Sequence, residues 1–344
     1  MRFDEAIYAH FLRQRRARFA DNVTRVAGCK IVSVGNITTG GTGKTPTVQW
    51  IARCLQERSV RVAIVCRGYG GAMSKVGAVV SDGERVLVTT KEAGDEAILH
   101  ARALPQVPVV IGRDRVAAVR RAVEQFAPEV TILDDGFQYW SLARDFDLVL
   151  LDARRPFGNG FLLPRGRLRE EPQTLQRADA LLLTRCDAAN ESELKATTEA
   201  VRAHTNAPIY HSQHAPTSLR NESQIDDRDD INRVLDMSQL RDCKVAALSA
   251  IADNAGFIRS LQNLGADIVA KCARRDHHAW RENEVRSFVV QAQAKGAQCV
   301  VTTEKDAVKL QVDWFEPLPL WSLCIELRVL ESDELTTQIV KALS

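Results

Sequence analysis

Long apolar runs are missing from this 344-residue chain. Nothing in it approaches the ~20 consecutive residues that a membrane-crossing helix requires, and the N-terminus lacks the apolar core of a signal peptide. Together these absences point to a cytoplasmic protein body. Paired cysteines are missing as well. The eight cysteines, Cys29, Cys54, Cys66, Cys186, Cys243, Cys272, Cys299 and Cys324, form no CxxC pair, and several lie within apolar runs. They read as reduced core residues rather than metal ligands or disulfides. Neither sign of charge dominates: a net +2 gives no strong global field, so attraction to an anionic surface must come from local clusters, and no nucleic-acid partner is expected. There is no internal repeat and no low-complexity tract. What remains is an ordinary globular balance, 45% apolar and 26% charged, long enough for two domains at ~100–200 residues each.

The apolar pattern alternates between short buried strands and helices. Lys30–Val34, Val60–Cys66, Val107–Ile111, Val130–Leu133, Leu148–Leu151 and Ala180–Thr184 read as strands. Thr45–Gln56, Glu96–Arg102 and Arg115–Phe126 read as the helices between them. Apolar strands separated by helices imply a parallel sheet covered on both faces. A polar stretch from about Ala215 to Asp230 is the best boundary in the chain. Beyond it the alternation resumes on a smaller scale: strands at Val245–Ser249, Ile268–Cys272, Cys299–Thr302 and Trp321–Leu330, helices at Ala255–Leu264, Glu282–Lys295 and Leu335–Leu343. The expected organisation is therefore an amphipathic helix and link over 1–30, a main α/β domain over 31–214 and a linker over 215–235. A smaller α/β domain follows over 236–320, then a returning strand and helix over 321–344. In the first segment Phe3, Ile7, Phe11 and Leu12 share one helical face, followed by Arg13, Arg15, Arg16 and Arg18. Two readings stay open here: a helix packed on its own domain, or one lying on an anionic membrane surface.

The strongest local signal is Val34-Gly35-Asn36-Ile37-Thr38-Thr39-Gly40-Gly41-Thr42-Gly43-Lys44-Thr45-Pro46, between a strand and a helix. Gly40, Gly41 and Gly43 allow backbone amides to turn toward an anion at the helix N-terminus, with Thr38 and Thr42 in the same loop. Lys44 would reach the terminal phosphates of a nucleotide and the Thr45 hydroxyl would ligate Mg²⁺. Thr38 stands where the strict GxxxxGK[ST] pattern has glycine, so this is a variant loop. The second signal is Asp134-Asp135 at the end of an apolar strand, as an Mg²⁺ site on a P-loop NTPase-like sheet requires. The same pair with Gly136 could also be an ordinary turn.

A kinase further needs a base near its acceptor. His277, in Arg275-Asp276-His277-His278, is a candidate, and it could equally be an exposed polar turn. Asp95 and Glu96 follow Gly94 at a helix start, which suits either a catalytic carboxylate or plain helix-end chemistry. A guanine-specific switch protein is the competing class, since Thr184-Arg185-Cys186-Asp187 and Thr303-Glu304-Lys305-Asp306 partly match [NT]KxD. A binding module without catalysis is a third.

Taken together these pieces resemble the tetraacyldisaccharide 4′-kinase (lipid A 4′-kinase) family. The resemblance also rests on Arg67-Gly68-Tyr69-Gly70, on Phe157-Gly158-Asn159-Gly160…Leu163-Pro164…Gly166…Leu168-Arg169-Glu170, and on Thr303-Glu304-Lys305-Asp306-Ala307-Val308-Lys309. It implies ATP and Mg²⁺ as cofactors, and transfer of the γ-phosphate to the 4′-hydroxyl of a tetraacyldisaccharide 1-phosphate. It implies Asp95 and His277 as the catalytic pair and Asp134 and Asp135 at the metal. Tyr69 and Gln138 would be at the nucleotide, with Glu96, Arg115 and Glu170 lining the site. It implies two α/β domains joined by strands near Pro208–Ser212 and Trp321–Leu330, with closure uniting Asp95 and His277. It also implies a monomer held peripherally at the cytoplasmic face of the inner membrane. Three features depart from the family pattern: a short N-terminal helix in place of a longer apolar anchor, Arg165 and Arg167 where small residues and proline are commoner, and Ala250 where glycine is commoner.

Overall fold

The structure, a computed structural model, describes residues 3–20, 23–223, 234–276 and 278–344. The chain separates into two compact units, one formed by Met1–His214 with Leu327–Ser344 and the other by Ala215–Glu326.

The first unit opens with helix α1 (Phe3–Ala20), then runs β1 (Lys30–Asn36), α2 (Lys44–Gln56), β2 (Val62–Cys66), β3 (Ala78–Ser81), α3 (Thr90–Ala93) and α4 (Asp95–Ala103). It continues through β4 (Val109–Ile111), α5 (Arg115–Phe126), β5 (Val130–Asp134), β6 (Phe146–Asp152), β7 (Ala180–Thr184) and α6 (Glu191–Arg202) into β8 (Ile209–Asn221). Within the sheet the order is β8-β7-β6-β1-β5-β2-β4-β3. Every pair is parallel except β3 on β4. The reason is visible in the strands themselves. Residues of β2, β5 and β7 are buried throughout, so both sheet faces must be covered. One face packs Ile37, Phe137, Val149, Leu151 and Leu181; the other packs Ile31, Val65, Val119 and Leu133. Each such side chain contributes ~1.5–3 kcal/mol when fully buried.

The order places β1 between β5 and β6, where the succession of strands reverses direction. At such a point the loops after adjacent strands part and leave a crevice at their C-terminal ends. The glycine-rich loop follows β1 and the Asp134-Asp135 pair ends β5, so topology alone brings the two strongest sequence signals together.

The second unit holds β9 (Val234–Leu235), β10 (Lys244–Ser249), α7 (Asn254–Asn263), β11 (Asp267–Ala273), α8 (Glu282–Ala294), β12 (Cys299–Thr303), α9 (Glu304–Ala307) and the start of β13 (Leu320–Val329). Its parallel order is β11-β10-β12-β13, with apolar clusters on both faces. The closing helix α10 (Ser332–Leu343) belongs to the first unit. The chain crosses between units within β8 and within β13.

One difference from the sequence reading has a clear cause. The polar stretch after Ala215, read as a linker, continues β8 to Asn221, and β9 pairs with it. An antiparallel ladder tolerates a polar face, so hydropathy alone does not reveal it. Helix α1 buries Glu5 and Ala9 and sets the Tyr8 hydroxyl 3.2 Å from the Arg169 carbonyl. The Ile7–Phe11 face is left in solvent, with Ile7 55% and Phe11 59% exposed. All eight cysteines are free thiols. Among the described residues no helix is long and apolar enough to cross a membrane.

Candidate active site

The loop after β1 is held from three sides. Asn36 Nδ2 donates to Thr42 Oγ1 at 2.8 Å, and Thr184 Oγ1 donates to the Thr42 carbonyl at 3.1 Å. On the outer side, Thr38 bridges Leu168, the Thr39 amide donates to the Arg167 carbonyl at 2.7 Å, and the Arg169 amide donates to the Ile37 carbonyl at 2.7 Å. At the helix entry Gly43 adopts φ +85°, and a Cβ there would stand 3.1 Å from His214 Nε2. Only glycine makes this turn without strain. Burial pulls the His214 imidazole down to about 4, so the group behind the loop is neutral at pH 7. No side chain caps α2 and no acid occupies its first turn. Its free N–H groups and the positive end of its dipole therefore face the loop, the arrangement that binds phosphate.

Asp135 stands in a left-handed backbone conformation, φ +60°, just past the end of β5. Lys44 Nζ lies 3.6 Å from its Oδ1, and Arg169 Nη1 lies 2.8 and 2.9 Å from its two oxygens. Burial pushes the Asp135 carboxyl up, but Lys44 and Arg169 outweigh it and hold it below the usual carboxylate range. Asp134 is 2% exposed, and its Oδ2 lies 3.0 Å from His100 Nε2, which must carry the proton for a carboxylate to accept it. Asp134 Oδ1 has no protein partner. That buried, unmatched oxygen and the Thr45 hydroxyl fit a Mg²⁺ ion, which takes few protein ligands and otherwise keeps water and phosphate oxygens. Among the described residues no set of three or more His, Cys, Asp or Glu side chains forms a protein-only cage.

His100 therefore has a structural consequence that can be measured. His100→Leu removes the donor to a buried carboxylate and is expected to destabilise the protein by ~1–3 kcal/mol. His100→Gln, which retains an N–H, should lose less. Urea denaturation of the two variants checks this, and equal losses would contradict it.

Gln138 and Glu170 form the next layer. Gln138 Nε2 donates to the Asn36 carbonyl at 2.7 Å and to Glu170 Oε1 at 3.0 Å, while its Oε1 accepts from Arg169 at 3.2 Å. Glu170, expected to line the site, is instead 2% exposed, with Oε2 accepting from Arg177 at 2.7 Å. Arg177 stacks 4.1 Å over Phe137. Burial raises the Glu170 carboxyl even against Arg177. Its contacts link it to Gln138, and through Gln138 to Arg169.

Arg115 begins α5 and is 4% exposed, with Nη1 donating to the Gly112 carbonyl and Nε unmatched. Burial draws its pKa down, while the Asp135 and Asp134 carboxylates push it back up. Asp95 is the first residue of α4 and 7% exposed, its Oδ1 accepting from the Glu96 amide at 3.0 Å. A Cβ on Gly94 would collide with the Tyr69 carbonyl, so the exposed Tyr69 turn lies directly against the start of α4. The same short helix carries Asp95 and Glu96 at its start and His100 against Asp134.

His277 lies outside the described residues. In the second unit, its neighbour Asp276 pairs with Lys305 at 3.0 Å and His278 with Glu284 at 2.9 Å. Residues of both guanine-like motifs are engaged within the protein. Asp306 is fully buried and accepts from the Ala250 amide, Trp280 and Thr303. Arg185 bonds Asp152 at 2.6 Å and reaches the Gly41 carbonyl, bracing the phosphate loop.

Sequence reasoning gave no role to His100, Arg169, Arg177 or Asn36. Asn36 and Arg169 stood inside quoted motifs without a role; Arg177 and His100 stood in none, and His100 meets Asp134 from 34 positions away in the chain.

Known proteins resemble this one along its whole length. The sequence profile described as "Tetraacyldisaccharide-1-P 4'-kinase" (LpxK) matches residues 3–344. A protein of Anaeromyxobacter dehalogenans (strain 2CP-C) named "Tetraacyldisaccharide 4'-kinase" is 44% identical over 284 residues, 83% of this chain and 73% of the relative. One of the same name from Geobacter sulfurreducens is 37% identical over 340 residues, 98% of this chain and 91% of the relative. The crystal structure of LpxK from Aquifex aeolicus in complex with ATP superposes with a TM-score of 0.76 at 29% identity, covering 99% of this chain and 97% of that one.

Proposed function

The chain belongs to the tetraacyldisaccharide-1-phosphate 4′-kinase family, and on that premise we propose that it transfers the γ-phosphate of ATP to the 4′-hydroxyl of a tetraacyldisaccharide 1-phosphate. The observation that carries this reading is Lys44 and Arg169 converging on Asp135 beside the uncapped N-terminus of α2. Such an arrangement binds and polarises phosphate, and leaves little covalent chemistry for the protein beyond positioning and charge. The loop amides and Lys44 orient the triphosphate, and Thr45 with Asp134 and Asp135 would hold Mg²⁺. When bound, that ion neutralises charge on the bridging phosphate oxygens. Asp95, at the start of α4, forms with His277 the catalytic pair that accepts the 4′-hydroxyl proton, while Arg115, Glu96 and Tyr69 complete the surroundings of the reacting groups.

The acceptor is a lipid, and a peripheral position at the cytoplasmic membrane face suits it. Ile7 and Phe11 are exposed one turn apart on α1, ahead of Arg15 and Arg18, the pairing of apolar and basic groups that adsorbs to anionic bilayers. An Ile7→Ser/Phe11→Ser double variant is expected to lose most of its cosedimentation with anionic phosphatidylglycerol vesicles while keeping its thermal stability. Undiminished cosedimentation would remove α1 from the membrane contact.

A further inference from the structure

We propose that Arg167 contacts the terminal phosphoryl group of the bound nucleotide, from the side of the loop opposite Lys44. This rests on the phosphate-loop reading above and adds a cation that the loop motif does not contain.

The residues 167–169 are tied to the loop as a short antiparallel ladder through Thr39, Ile37 and the Thr38–Leu168 bridge. Side chains alternate along such a segment. Leu168 is 2% exposed and packs with Ile37 in the core, so Arg167 and Arg169 share the opposite face. Arg169 goes to Asp135. Arg167 extends over Gly40, with Nη2 3.5 Å from the position a Cβ would occupy there. Its stem lies on Gly158, where a Cβ would come within 3.0 Å of Arg167 Cβ, and its amide donates to Asn159 Oδ1 at 3.2 Å. Backbone and stem are therefore both held, and the guanidinium points at the apex of the loop.

Charge singles out the same residue. The arginines around it are spoken for: Arg165 by Glu5, Arg169 by Asp135, Arg177 by Glu170 and Arg185 by Asp152. Arg167 has no ion-pair partner among the described residues. At the metal end of the loop, the cations Lys44 and Arg169 face the carboxylates Asp134 and Asp135, so those four groups carry no net charge. Arg115 is buried and turned onto the Gly112 carbonyl. A triphosphate arriving at the apex of this loop meets the exposed, unpaired Arg167 guanidinium, and a planar fork is well suited to phosphate oxygens.

The test compares wild type, Arg167→Ala, Arg167→Lys and Lys44→Ala in steady-state phosphorylation of the lipid acceptor, alongside ADP binding by calorimetry. Arg167→Ala should lower kcat/KM for ATP by about 10- to 100-fold, less than the ~10²–10³ of a fully buried donor because this side chain is exposed. Arg167→Lys should restore part of the loss by retaining charge without the fork. ADP lacks the terminal group, so its affinity should change by no more than about twofold, and so should KM for the lipid. The inference falls if Arg167→Ala keeps wild-type kcat/KM for ATP, if ADP binding weakens as much as turnover, or if only the lipid KM rises. An unaffected Arg167→Ala beside an inactive Lys44→Ala sinks this inference alone; full activity in both variants sinks the phosphate-loop reading as well.

Discussion

Lys44→Ala is expected to reduce kcat/KM for ATP by ~10³-fold or more, with little change in thermal stability. The size follows from where the charge acts. A cation at the end of a phosphate loop works where negative charge shifts during transfer, and one such contact is worth ~10²–10³ in rate even for a neutral donor. Lys44 is also the group that pairs with Asp135 across 3.6 Å. Without it, Asp135 remains bonded to Arg169 through both oxygens, so no buried charge is left stranded and the fold should survive. Steady-state kinetics with a parallel melting curve separate these effects. Lost activity accompanied by a collapsed melting temperature would point to misfolding instead.

Asp95→Ala carries the second large effect, a drop in kcat of ~10²–10⁴ with a much smaller change in KM for ATP, as expected of a proton acceptor acting in the chemical step. Asp95 lies at the start of α4, and the loop amides, Lys44 and Thr45 that would hold the triphosphate are unchanged in the variant, so ATP binding should persist. His277→Ala should behave alike, lowering kcat more than it raises KM. The double variant should be little worse than either single one, because two residues that act as a unit are not additive. A near-wild-type kcat on the lipid acceptor for either single variant would dissolve the pair.

Much of this molecule is legible from sequence, and the exceptions share a cause. Helix α5 (Arg115–Phe126) and strand β7 (Ala180–Thr184) match their sequence-derived bounds, because an amphipathic repeat and a continuous apolar run need no knowledge of neighbours. Strand β3 is only four residues long and follows a glycine-containing turn; helix α6 buries just Thr197 and Val201, leaving almost no apolar stripe to read. Strand β8 is extended only because it has strands to pair with. At the site, the glycines and the Gly43-Lys44-Thr45 step declare themselves locally, as does the acidic end of β5. His100 and Arg177 do not, since a lone histidine in a helix or an arginine in a loop acquires meaning only from a carboxylate that the fold delivers. Glu170 stands in a recognisable motif, but its contacts with Gln138 and Arg177 were not legible there.

The pattern of braces explains why so open a loop can be accurate. Thr184, Arg185 and the 167–169 segment each secure different backbone groups of residues 37–42, and Asn36 holds the Thr42 hydroxyl. Preorganised donors need no reordering when charge moves, which is the basis of electrostatic catalysis.

The central claim is best tested by incubating the protein with γ-labelled ATP and a tetraacyldisaccharide 1-phosphate in detergent micelles. The account predicts label on the lipid at the 4′-position, dependent on Mg²⁺ and abolished by Lys44→Ala. No labelled lipid from wild-type protein, together with tighter binding of GTP than of ATP, would contradict it.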